Sequence, residues 1–161
     1  MTGDLAARRL AVAGVALLLA AMLTGFATGA VPNPRMALSA HLAGTTSALM
    51  LIALSAIWHR VTLSSRGHAW ASGLLAFGAV TNWAAVLLAA IWGAGATTMP
   101  IAAKGMTGAA WQENVIAAAL LALSLAIVAG LGLVLRGLLA LSLAIVAGLG
   151  LVLRGLLARG E

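Results

Sequence analysis

The sequence predicts an all-α integral membrane protein, a four-helix bundle, and three observations predict it. Only 7% of the 161 residues are charged and 63% are hydrophobic. A soluble domain carries about 25% charged residues to face water. Four apolar runs, at about 10–31, 36–58, 69–92 and 115–135, hold no Asp, Glu, Lys or Arg. Each reaches the roughly 20 residues that cross a hydrocarbon core. The basic residues also sort by side. With the N-terminus inside, the cytoplasmic side holds Arg8, Arg9, Arg60, Arg66, Arg136, Arg154 and Arg159, and the outer side only Arg35 and Lys104. That asymmetry follows the positive-inside rule and predicts a multi-pass protein of a bacterial-type inner membrane with both termini cytoplasmic.

Each element follows in turn. The first run, from Leu10 to Val31, is too long for a signal-peptide core and reads as an uncleaved span. Pro32-Asn33-Pro34-Arg35 forms a tight turn into the second run, Met36 to Trp58. A polar loop from His59 to His68 leads to the third, Ala69 to Trp92. A longer loop rich in Gly and Thr, Gly93 to Asn114, precedes the fourth. Helices are chosen because each satisfies its own backbone hydrogen bonds in lipid. The alternation needed by a membrane barrel strand is absent from these runs.

The C-terminus repeats itself. Leu120–Ala140 recurs letter for letter as Leu138–Ala158, a period of 18 residues. Eighteen residues are five helical turns, so the copy keeps the helix face and adds about 27 Å. The duplicated apolar segment either extends helix four or turns back at Arg136-Gly137 as an extra hairpin helix. The second copy is short for a span, which favours an extension that lies at the interface or packs on the bundle. Two copies are too few for a solenoid, and 1–161 reads as one membrane domain.

Composition excludes several functions. Without cysteine there is no disulfide, thiolate nucleophile or iron–sulfur cluster. The net charge of +6 is scattered between apolar runs, not gathered into a patch with aromatics, so no nucleic-acid partner is expected. No HExxH, P-loop or paired intramembrane carboxylate occurs. An ion or proton pump needs such ionisable groups within the bilayer.

Polar groups inside lipid are costly and therefore candidate site residues. They are His41, Thr45, Thr46 and Ser47 on the second helix and Thr81 and Asn82 on the third. His41 lies about 8 Å below the outer end of its helix. Its neighbours Ala37, Gly44, Thr45 and Ala48 are small, which leaves a recess for a flat cofactor. The same pattern also suits close helix packing, with His41 bonded to a carbonyl across the interface. Asn82 lies about 15 Å deep, on a face shared with Gly78, Ala85 and Ala89. Ser47 reaches a similar depth but sits about 120° from His41 around the helix. Glu113 reads either as a general acid or base at the outer mouth or as a solvated carboxylate at a helix start. His59 and His68 read as interfacial or solvated. Trp58, Trp92 and Trp111 read as interfacial belt residues. Gly25 and Gly29, with Ala21, form a GxxxG pattern for helix association.

The stretch Asn33-Pro34-Arg35-Met36-Ala37-Leu38-Ser39-Ala40-His41-Leu42-Ala43-Gly44 resembles the hydroxylaminobenzene mutases. So do Thr81-Asn82-Trp83-Ala84, Trp92-Gly93-Ala94-Gly95, Met99-Pro100-Ile101-Ala102 and Trp111-Gln112-Glu113, in order. The resemblance covers roughly 10–135. That family is more distantly similar to the membrane-bound styrene oxide isomerases, trimers that hold haem b between subunits. The resemblance implies haem b with His41 as iron ligand, a homo-oligomer such as a trimer, and a small aromatic substrate arriving from the bilayer. It implies an intramolecular isomerase converting hydroxylaminobenzene to 2-aminophenol, with Asn82 orienting substrate and Ser47 or Thr45 assisting. Two departures stand out. Ser47 occupies a position where the isomerases and the mutases commonly have Asn, and the chain has no tyrosine, which the isomerases place near the epoxide. The alternatives are a non-enzymatic haem-binding or accessory subunit and an epoxide isomerase of the styrene oxide type.

Overall fold

The protein, described over residues 2–157 by a computed structural model, is built from helices, with no strand among the described residues. Its elements are α1 (Thr2–Phe26), a 3-10 turn (Thr28–Ala30), α2 (Pro34–Ile57), a second 3-10 turn (Trp58–Arg60), α3 (Ser65–Trp92), the short α4 (Pro100–Ala103) and α5 (Ala110–Leu157). Four of these helices are long and apolar enough to cross a membrane: Gly3–Phe26, Pro34–Arg60, Ser65–Trp92 and Ala110–Ala140.

The helix boundaries have local causes. Where the sequence predicts helix to Val31, α1 stops at Phe26 and the chain tightens into the 3-10 turn before Pro32. Asn33 then starts α2. Its Oδ1 accepts from Met36 N at 3.0 Å, and Pro34 fills the first turn, where a missing N–H costs nothing. Its Nδ2 donates to Ala102 O and Ala103 O, both at 3.2 Å, and so pins α4 beside the start of α2. α3 begins four residues earlier than its apolar run, because Ser64 caps it by accepting from Gly67 N at 3.2 Å. It ends at Gly93, whose φ of 64° is left-handed backbone that favours glycine.

α3 is the central element. It packs against α1, α2 and α5, while α1 and α2 pack on each other. The small residues set the spacing. A Cβ at Gly78 would stand 2.5 Å from Ile127 Cγ1, so α5 docks close only because position 78 has no side chain. At Gly137 a Cβ would stand 2.7 Å from Val61 Cγ1, and Thr62 N donates to Gly137 O at 3.2 Å. The α2–α3 turn is thereby fastened to α5. Arg8, Arg9, Arg60, Arg66 and Arg136 share that end of the bundle, and Arg35 and Lys104 share the other.

Two apolar clusters form the core. One gathers Leu10, Leu17, Leu51, Trp58, Leu75 and Val134; the other gathers Met36, Val86, Ala89, Ala90 and Ile116. Along α2 and α3 the polar residues His41, Ser47 and Asn82 fall between the two clusters.

The repeat resolves into the extension. α5 runs unbroken for 48 residues through the first copy and the second to Leu157, and no hairpin forms at Arg136-Gly137. At 1.5 Å per residue it is about 72 Å long, more than twice the roughly 30 Å hydrocarbon core. Leu139, Ile145, Val146, Leu149 and Leu151 remain more than half exposed, so these side chains do not pack on the bundle. The last residue of the second copy, Ala158, and Arg159 lie outside the described residues.

Candidate functional site

His41 faces α1. Its Nδ1 is 2.7 Å from the carbonyl oxygen of Ala21. A carbonyl only accepts, so Nδ1 carries a proton and donates. The ring is half-buried, and among the described residues its Nε2 has no hydrogen-bond partner. The small residues beside His41 are used for packing. Ala37, Gly44 and Ala48 are buried, and a Cβ at Gly44 would stand 2.7 Å from Trp83 Cδ1 and 2.8 Å from Ala21 Cβ. Of the two readings of that stripe, close packing with a carbonyl bond across the interface is the one realised within a single chain.

Ser47 and Asn82 come together. Asn82 Nδ2 donates to Ser47 Oγ at 3.2 Å, across the α2–α3 contact. Ser47 is buried and Asn82 half-buried. Gly78, one turn before Asn82, carries Ile127 of α5, so the pair lies near the seam where α2 and α5 flank α3. Six residues separate Ser47 from His41, about 9 Å along α2. The offset around the helix holds as well: the imidazole looks toward α1 and the hydroxyl toward α3. Thr45 is half-buried and donates its hydroxyl to His41 O at 2.8 Å. Its lone pairs remain available to a donor. Thr46 is exposed and bonds back to Leu42 O at 2.9 Å.

Glu113 is neither solvated nor beside these groups. It is 9% exposed. Its Oε1 accepts from Gly95 N at 2.9 Å, Gly108 N at 3.1 Å and Ala96 N at 3.3 Å. Its Oε2 accepts from Thr97 Oγ1 at 2.8 Å and Thr97 N at 3.4 Å. Both oxygens therefore hold the loop between α3 and α5, and the expected solvated carboxylate is corrected to a buried loop anchor.

With that geometry in place, known proteins supply context. A family model described as styrene oxide isomerase matches residues 6–139. The chain belongs to that family. It is 46% identical over 131 residues to hydroxylaminobenzene mutase HabB of Ectopseudomonas oleovorans, a match covering 81% of this chain and 80% of the relative. It is 36% identical over 103 residues to hydroxylaminobenzene mutase HabA of the same organism, covering 64% of this chain and 76% of that one. No solved structure matches.

The styrene oxide isomerase match ends at Leu139, so the family's part of the chain closes with the first copy of the repeat. Within it, two polar contacts escape the sequence reading. Trp83 Nε1 donates to Thr24 Oγ1 at 3.0 Å, and Thr24 donates on to Ala20 O at 2.9 Å, linking α3 to α1 at the same level of the bundle. The available signal was a threonine inside an apolar run opposite a mid-span tryptophan. At the basic end, His68 and Trp58 are buried in the bundle. Trp58 is 1% and His68 8% exposed, and Trp58 Nε1 donates to His68 Nδ1 at 3.0 Å. The indole closes the core there, and its one polar atom takes the nearest acceptor. His59 is exposed, as expected. Trp92 and Trp111 meet edge to face at 5.2 Å at the opposite end.

Proposed function

We propose that this chain is a membrane-embedded mutase that converts hydroxylaminobenzene, or a close aromatic relative, to the 2-aminophenol. The observation that carries this is the similarity to the HabB mutase across four-fifths of both chains. The reaction is an isomerisation. The N–O bond breaks, a C–O bond forms at the ortho carbon, and one ring proton is exchanged for one on nitrogen. No external oxidant or reductant enters the balance.

The donor set fits haem b. A single imidazole offers Nε2 without a partner among the described residues, while its Nδ1 is held by a carbonyl. His41 would hold the iron on one side, as histidine does in other haem proteins. Ferric haem, when bound, supplies a Lewis acid for the substrate oxygen. The remaining work belongs to the chain. Asn82, steadied by Ser47, presents an amide to orient the substrate's hydroxylamino group. Thr45 offers hydroxyl lone pairs to its N–H. Surrounding apolar helices and lipid would exclude bulk water and so favour internal oxygen transfer over hydrolysis. Glu113 acts at a distance, by fixing the outer loop.

The assembly we infer is a homo-oligomer, a trimer by analogy with the isomerases, in a bacterial-type inner membrane with both termini cytoplasmic. Two observations support it. The His41 flank is half-open in one chain, and the basic residues gather at the end that bears the N-terminus. Substrate would enter from the bilayer.

Purified protein in nanodiscs, given hydroxylaminobenzene, should form 2-aminophenol, measured by liquid chromatography. Its visible spectrum should hold a Soret band that His41→Ala removes. Haem-loaded protein without product would instead favour a haem-binding accessory subunit. Product from colourless, folded protein would remove the haem part of the reading.

A further inference from the structure

We propose that Gly25 is a positioning residue for His41: its missing side chain exposes the Ala21 carbonyl, which fixes the imidazole with Nδ1 protonated and Nε2 left as a bare lone pair. The inference rests on the haem reading for its consequence, but not for its geometry.

In α1 the carbonyl of residue 21 is the acceptor for the N–H of residue 25, four positions on. A carbonyl has two lone pairs, so one remains for His41 Nδ1 at 2.7 Å. Gly25 sits over that carbonyl. A Cβ placed on it would stand 2.8 Å from His41 Nδ1, 3.1 Å from Cε1 and 3.4 Å from Cγ. Three ring atoms would be struck at once, and the obstacle would be backbone-fixed. The imidazole would have to rotate or withdraw, and either movement breaks the bond to Ala21. Gly25 therefore does more than bring two helices together.

Gly29, the second glycine of the GxxxG pattern, lies beyond the end of α1 in the 3-10 turn, where a Cβ meets nothing within 4 Å. It therefore serves as a control for a glycine-to-alanine change away from His41.

The bond has a chemical consequence. In the neutral ring, a proton on Nδ1 leaves Nε2 as the nitrogen able to bind a metal. A hydrogen bond at the far nitrogen also sets ring orientation and raises the ligand's basicity. A backbone carbonyl is a neutral acceptor, so the ligand stays an imidazole and does not approach an imidazolate. That suits an iron retained as an electrophile.

The test compares wild type, Gly25→Ala and Gly29→Ala as full-length protein in nanodiscs. Resonance Raman of the ferrous form reads the iron–histidine stretch, and potentiometry reads the midpoint. Gly25→Ala should lower the stretching frequency and raise the midpoint potential, with kcat falling and KM little changed. Gly29→Ala should match wild type in all four. Equal effects from both variants, or none from Gly25→Ala, overturn the proposal. 15N spectra of histidine-labelled wild type, with the His41 signal assigned by its loss in His41→Gln, read the tautomer even without haem and even where Gly25→Ala fails to fold. A protonated Nδ1 and bare Nε2 are expected in haem-free protein, and the opposite tautomer refutes the inference. Colourless wild type with a protonated Nδ1 would sink the haem reading and leave the positioning role standing.

Discussion

Replacing Glu113 with alanine should free the loop between α3 and α5 while leaving the bundle folded. The carboxylate accepts from Gly95 N at 2.9 Å and Gly108 N at 3.1 Å, with longer bonds from Ala96 N and Thr97 N. In Glu113→Ala these donors lose their acceptor. A buried donor left unsatisfied costs about 1–3 kcal/mol. The loop lies at the mouth of the bundle, where a small opening admits water, so the lower bound applies to each of the two shortest backbone bonds, those that amide exchange reads. Together they give about 2 kcal/mol of local stability. Since about 1.4 kcal/mol is tenfold in an equilibrium, amide exchange at Gly95 and Gly108 should rise roughly 30-fold. Hydrogen–deuterium exchange with mass spectrometry, on full-length protein in nanodiscs, measures this directly. Peptides from the buried stretch of α3 serve as the internal reference. Unchanged exchange across residues 93–109 in folded Glu113→Ala would refute the anchor. Lost turnover with unchanged exchange would point to direct acid–base work by Glu113.

Three further outcomes are expected. Asn82→Ala removes one interhelical hydrogen bond, worth about 0.6 kcal/mol in membrane proteins; turnover should fall at least about tenfold while thermal stability barely moves, since a hydrogen-bonding site that loses its donor loses more than 1.4 kcal/mol of transition-state binding. Trp58→Phe leaves His68 Nδ1 without its donor; a thermal melt should show destabilisation by about 1–2 kcal/mol, with the folded fraction retaining its activity. Removal of residues 141–161 should leave melting and turnover as in wild type, because the described side chains beyond Ala140 are exposed; a loss of either would mean that the second copy carries part of the fold.

Much of this protein is local and therefore readable. The four spans follow from apolar length, and the absence of arginine and lysine from them follows because lipid rejects charge wherever it occurs. The small residues around His41 and Asn82 announced close packing, and the offset of Ser47 from His41 needed only the pitch of a helix. The partners of those small stripes were not readable. Runs that are apolar all round have no single buried face, so nothing in their order says that α3 is central or that Ile127 fills the space above Gly78.

The misreadings share one cause. Glu113 looked like a solvated helix start because its acceptor role is satisfied by backbone N–H groups of a loop, and backbone donors have no letter in a sequence. The burial of His68 was not legible because its partner, an indole ten residues back, reaches it only after the chain turns between α2 and α3. The doubled tail, by contrast, reads as an extension from the shortness of its second copy, and α5 does run unbroken through Gly137. Sequence alone thus determined that four segments are long and apolar enough to cross a membrane and that His41, Ser47 and Asn82 lie within them. Which polar groups meet was decided by tertiary packing, because a hydrogen bond depends on distances of a few ångström between helices whose apolar surfaces leave many alignments open.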